Sequence, residues 1–188
     1  MTINTKTLAA IDIGTNAIRL FISNVEEYPT ETLFKKIAFL RVPIRLGEDV
    51  FTTGEIGQQK GKRLCETMQG FSYIMSAFNV ESYKAYATCA MREARNGKSV
   101  AEQIQKECDL NIEIISGTKE AETIFAGGMN EVVDDDKTYL YVDVGGGSTE
   151  VIVYSKSVKV EACSFPLGTV RMLNDAMDKE EMKHFKKW

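Results

Sequence analysis

Along the chain, apolar and polar positions alternate first with the period of a strand. Residues 7–13 (TLAAIDI) and 18–25 (IRLFISNV) are two β-rich runs separated by GTNA, the pattern of a hairpin. A third strand is predicted over 32–44, ending at Pro43, with LGEDVFTTGE after it as a turn-rich connection. The period then changes. From Leu64 the apolar positions Met68, Phe71, Ile74, Met75 and Phe78 recur at helical spacing, predicting a helix within 55–78 that Gly57, Gly61 and Gly70 weaken without abolishing. Further on, the pattern predicts strands near 82–88 and 112–115 and helices near 98–108 and 119–131. VVDDDKT reads as an exposed acidic loop.

After that loop the pattern restarts, with strands predicted at 139–144, 149–154 and near 157–165. AAIDIGTNAIRLFI and LYVDVGGGSTEVIV share one plan: an apolar strand carrying an aspartate, a glycine two residues later, a small-polar turn and a second strand. Asp12 and Asp143 occupy matched places. A βββαβαβα unit present once in full and once in part predicts a duplicated α/β fold, with a first domain over 1–131 and an incomplete second domain over 132–188.

The glycine turns carry the candidate chemistry. Glycine lets a ligand approach main-chain amides closely, and consecutive amides in a tight turn form an anion-binding concavity. Gly14, Thr15 and Asn16 in the first turn, and Gly145, Gly146, Gly147 and Ser148 in the second, are therefore candidate phosphate ligands, with the Thr149 hydroxyl as a further donor. Two such turns facing each other across a cleft would hold a phosphate between them, flanked by Asp12 and Asp143. Carboxylates beside a phosphate repel it unless a cation intervenes, which makes Mg²⁺ the expected third party. A lone glycine hairpin is ordinarily just a turn. The pair is more informative, because a strand read as buried has no packing reason to carry aspartate twice. The sequence holds no P-loop, no complete dinucleotide fingerprint and no nucleophile elbow around Ser148.

Composition narrows the rest. Hydrophobic residues make up 44% and charged residues 27% of the 188 positions, the balance of a globular protein. No apolar run approaches a membrane span and no signal peptide is visible at the start, so a cytoplasmic location without membrane partners is expected. The net charge of −4 disfavours a nucleic-acid binder. Cys65, Cys89, Cys108 and Cys163 are scattered without metal-ligand spacing and read as reduced thiols. The single histidine, His184, lies in a charged tail, leaving carboxylates as the acid–base groups.

Asp-plus-glycine hairpins in duplicate resemble the phosphate motifs of the actin-like (ribonuclease H-like) ATPase superfamily. Within it, ATCAMREARNG (87–97), IEIISGTKEAETIFAGG (112–128) and YVDVGGGSTEV (141–151) resemble the exopolyphosphatase and guanosine-pentaphosphate phosphohydrolase family, and RLGEDVFTTGEI (45–56) and FPLGTVRM (165–172) fit its spacing. The resemblance runs through nearly the whole chain. It implies a two-domain actin-like fold, Mg²⁺-assisted hydrolysis of a terminal phosphoanhydride, and polyphosphate or guanosine pentaphosphate as substrate. It implies Glu120 as catalytic base, Arg92 as a phosphate clamp acting mainly in binding, and Asp143 and Glu150 as metal ligands. A position at the start of a helix would keep Glu120 ionised. Arg19, Arg41, Arg45 and Arg171 are weaker candidates for the polyanion, with surface solvation the expected role for most.

The chain departs from the family pattern in three ways. Lys119 stands where a glutamate is usual, Ala17 stands where a serine is usual, and family members continue well past residue 188. Two other readings remain open at this point: a nucleotide-binding kinase or ATPase of the same superfamily, and a non-catalytic phosphate-binding fragment that is nearly inactive alone. The oligomeric state is open, a homodimer included.

Overall fold

The computed structural model describes residues 4–126, 136–156 and 158–188. It begins with the expected meander: β1 (Asn4–Ile13), β2 (Ile18–Glu27) and β3 (Thr32–Val42) pair antiparallel. β4 (Ser82–Ala87) adds to β1 in parallel, and the short β5 (Glu113–Ile114) adds to β4, giving the order β3-β2-β1-β4-β5. One face of this sheet holds Ile11, Ile13, Ile18, Leu20 and Ile22 and is buried. Against it pack Leu64, Met68, Phe71 and Met75 of α2 (Gln58–Ala77) and Ile104 of α4 (Gly97–Cys108). Because side chains alternate along a strand, the other face carries Ala10, Asp12, Arg19, Phe21, Lys84 and Tyr86, and that face forms one wall of the cleft described below.

A second sheet, β6 (Thr138–Val144), β7 (Thr149–Ser155) and β8 (Val158–Phe165), repeats the meander. Asp12 and Asp143 each stand one residue before the end of their strand, paired with Arg19 and Glu150 respectively. α5 (Gly117–Ala126) packs Ala121 against Ile152 and Tyr154 of this sheet. Beyond β8 come α6 (Thr169–Leu173) and α7 (Lys179–Lys187). The fold is thus α/β, built on a mixed five-stranded sheet and a second three-stranded meander. The remainder of the helix predicted to 131, the proposed boundary at 131/132 and most of the acidic loop lie outside the described residues. Among the described residues no helix is long and apolar enough to cross a membrane.

Three expectations change, and the reading of the cysteines holds with one added contact. Residues 46–53, read as a connection, form helix α1 (Leu46–Thr53). Leu46 and Val50 bury one face, Glu48 and Asp49 complement the N-terminal dipole, and Gly54 at φ 79 closes the end by donating to Val50 O at 3.0 Å. β6 is an edge strand rather than a buried one: Leu140, Val142 and Val144 face solvent while Tyr139, Tyr141 and Asp143 are half-buried. His184 lies on helix α7, capped by the Asp178 side chain, and meets the Phe165 ring at 5.4 Å. The four cysteines are free thiols, but Cys65 and Cys108 are brought within 3.7 Å of each other by α2 and α4.

Candidate active site between two glycine turns

A cleft of about 710 Å³ is lined by both glycine turns, by Glu120 and Thr123 of α5, and by the open face of the first sheet. The turns are closed alike. Gly14 N donates to Ala17 O at 3.2 Å, and Gly145 N donates to Ser148 O at 2.8 Å. Those two amides are therefore engaged within the chain. Thr15 O and Asn16 O accept from Gly47 N and Arg45 N at 3.0 and 2.9 Å, tying the first turn to the start of α1. Gly145 O and Gly146 O accept from Thr169 N and Val170 N at 3.0 and 2.8 Å, tying the second turn to α6. With their carbonyls held, the amides of Thr15, Asn16, Gly146 and Gly147 meet no acceptor among the described residues. The turns touch: a Cβ on Gly146 would lie 2.9 Å from Thr15 Cγ2. Of the side-chain donors expected, Thr149 is committed to Leu167 O and is buried.

The cleft gathers carboxylates. Asp12 pairs with Arg19, and burial raises its carboxyl above the usual range despite that pairing. Glu150 is 2% exposed; burial raises it, and hydrogen bonds from Ser148 and from Ser164 Oγ, the latter at 2.8 Å, work in the other direction. Glu120 is pushed up to about 7, chiefly by burial and then by Glu150, with Arg92 opposing. Its Oε2 is buried without a hydrogen bond, and Arg92 Nη1 stands 3.5 Å away. The expectation that the helix start keeps Glu120 ionised therefore fails. Ser116 does cap the helix, receiving Lys119 N at 3.1 Å, but desolvation and a neighbouring carboxylate outweigh the dipole.

Asp12, Gly14, Thr15, Asn16, Glu120, Asp143, Gly145, Gly146, Gly147, Ser148 and Glu150 all line the cleft. Arg92 is set back from the wall, donating to Ile115 O at 2.8 Å and facing Glu120. Arg171, read as a surface cation, is buried. Ser164 escaped the sequence reading, and Arg171 entered it only as a weaker candidate for the polyanion. Ser164 stands opposite Glu150 in the β7–β8 register, which a bulge between Val153 and Tyr154 shifts, so no sequence period places it. Arg171 had a signal: it follows Gly168 in FPLGTVRM, a segment that fitted the family spacing.

A sequence profile described as the Ppx/GppA phosphatase family matches residues 21–187. The bifunctional 3-dehydroquinate synthase/phosphatase of Fusobacterium nucleatum is 32% identical over 168 residues, covering 87% of this chain and 25% of that protein. A putative exopolyphosphatase of Haemophilus influenzae is 28% identical over 167 residues, covering 89% of this chain and 50% of that one. The crystal structure of an exopolyphosphatase from Cytophaga hutchinsonii superposes with a TM-score of 0.81 at 29% identity, covering 90% of this chain and 53% of that one. The chain thus spans about half the length of these exopolyphosphatase relatives, and a quarter of the bifunctional one.

Proposed function

The chain belongs to the Ppx/GppA phosphatase family, and from that membership we propose that it carries the part of a phosphoanhydride hydrolase that grips the terminal phosphate and activates water. Inorganic polyphosphate is the substrate the relatives' names favour, with guanosine pentaphosphate as the second candidate, and the site works in the cytoplasm. The observation that carries this reading is the pair of touching glycine turns, with four amides unclaimed by the protein, beside the buried carboxylate of Glu120.

The terminal phosphate sits against the amides of Thr15, Asn16, Gly146 and Gly147, which meet its oxygens without side-chain reorganisation. Glu120 accepts a proton from the attacking water as the P–O bond to the shortened chain breaks. A pKa near 7 suits that task, since the base is ionised in part at neutral pH and its conjugate acid forms readily. Repulsion among Asp12, Glu120, Asp143 and Glu150 favours a bound cation, and oxygen donors suit Mg²⁺. Among the described residues no group of three acidic, Cys or His side chains is gathered to hold an ion; Asp143 and Glu150 would hold Mg²⁺, directly or through water. There it would neutralise charge on the phosphate oxygens.

The test is orthophosphate release from long-chain polyphosphate and from guanosine pentaphosphate with Mg²⁺. Two proteins are compared: the 188-residue chain, and a chimaera completing it with the C-terminal half of the Cytophaga hutchinsonii relative. The chimaera is expected to release phosphate at least about tenfold faster than the 188-residue chain, since the exopolyphosphatase relatives are about twice as long as the part this chain matches. A chimaera that binds tripolyphosphate but releases nothing would make the site a binding module.

The pH dependence follows from Glu120. The active form is the deprotonated one, so activity rises with pH through about 7 and levels above it. Arg92→Ala removes the cation that lowers the Glu120 pKa, so this limb moves to higher pH. An unshifted limb in Arg92→Ala, read from the pH profile of kcat/KM, would disprove the coupling.

A further inference from the structure

Arg171 belongs to α6, which follows the second sheet, yet its guanidinium ends among side chains of α1 and α3 from early in the chain. Nε donates to Gly147 O at 2.6 Å. Nη2 pairs with the Glu93 carboxylate and lies 3.5 Å from Cys89 Sγ, both on α3 (Cys89–Glu93). Cζ stands 4.2 Å above the Phe51 ring of α1. The residue is 8% exposed. A cation buried this far is tolerated only where its hydrogen bonds and charge are met, and here a carbonyl, a carboxylate and an aromatic face meet them. The carbonyl matters most, because Gly147 is in the second glycine turn. In a trans peptide the C=O and the following N–H point in opposite directions, so drawing the Gly147 carbonyl onto Arg171 turns the Ser148 amide away from it.

We propose that Arg171 is a positioning residue. By holding Gly147 against Glu93, Cys89 and Phe51, it fixes the second glycine turn to α1 and α3 and sets the separation of the two turns. The proposal rests on the reading of those turns as a phosphate site. It extends that reading by making the site depend on a cation that touches no phosphate.

The experiment uses the 188-residue chain, with tripolyphosphate as the probe in calorimetry and amide exchange measured over 143–150 and 12–17. Arg171→Met keeps length and apolar bulk but loses the cation. It should weaken tripolyphosphate binding by about tenfold or more and speed exchange over 143–150 by a similar factor, with exchange over the first-sheet core unchanged. Arg171→Lys restores a cation against Glu93 and Phe51 and should recover binding to within a few-fold, which a purely space-filling role would not require. If Arg171→Met loses its folded circular-dichroism signal, Glu93→Gln serves in its place, since it keeps the side-chain shape and removes the charge partner. Unchanged exchange over 143–150 in a folded variant overturns the clasp. If the parent chain binds no tripolyphosphate while the variant's exchange still accelerates, the phosphate reading fails and the clasp stands.

Discussion

Glu120→Gln lowers kcat for orthophosphate release by about 10²–10⁴-fold in the completed chimaera and leaves KM within a few-fold, the usual range for losing a general base. Glutamine keeps the size of the side chain and one oxygen that accepts a hydrogen bond, so the water is still held but its proton has no acceptor. The site amplifies the loss. Glu120 Oε2 is buried without a hydrogen-bond partner among the described residues, so bulk solvent is poorly placed to substitute as base. The neighbouring Glu150 carboxylate is engaged by Ser164 and Ser148. A chimaera carrying Glu120→Gln at parental kcat would sink the assignment.

Gly168→Ala should be nearly as damaging, though Gly168 touches no reacting group. It lies across the second glycine turn, where an added Cβ would stand 2.4 Å from the Gly146 carbonyl carbon and oxygen and 2.5 Å from Gly147 N. Its backbone is extended, at φ −146 and ψ 160, so alanine is not strained by conformation; the obstacle is backbone meeting backbone. Nothing there can rotate aside. The turn or α6 must move, and with it the Thr169 and Val170 amides that hold Gly145 O and Gly146 O. The expected cost is about 3 kcal/mol, the upper end for overpacking, equivalent to a fall in Tm of roughly 6–12 °C. Tripolyphosphate binding should fall with it. Gly70→Ala is the control: a Cβ there meets nothing within 4 Å, and α2 should gain about 0.4–1 kcal/mol. Unchanged Tm and unchanged binding in Gly168→Ala would refute the close approach.

What could be read from the residues follows from how each element is buried. β1, β2 and α2 were legible because one face of each is covered, so period 2 and period 3.6 are written cleanly into Ile11, Ile13, Leu20 and Ile22 and into Leu64, Met68, Phe71 and Met75. The matched aspartates were legible because the strand-turn plan repeats in sequence. α1 was not, since LGEDVFTT is rich in residues that favour turns. In the folded chain the hydroxyls of Thr52 and Thr53 bond back to Glu48 O and Asp49 O at 2.7 and 2.9 Å, a local satisfaction that propensity does not display. Arg171 was misjudged because an arginine in sequence carries no mark of burial; only the return of α6 over the second turn brings it to Glu93. The ionisation of Glu120 was misjudged for a related reason. The helix start is local and visible, whereas Glu150 and the burial that outweigh it arrive from a different part of the chain.

The clasp at Arg171 also bears on the order in which the molecule comes apart. The first turn closes onto Ala17, Arg45 and Gly47, and the second onto Ser148, Thr169 and Val170, so each is tied to neighbouring parts of its own segment of chain. The contact between Arg171 and Glu93 spans 78 residues of chain and joins the second glycine turn's helix α6 to α3. A contact of such separation is expected to contribute little to the folding transition state, which a φ-value for Arg171→Met would test. Weakening it leaves the folding limb of a chevron in place and steepens nothing but the escape rate. The same side chain that aligns the two turns thereby sets how long they stay together once they have met.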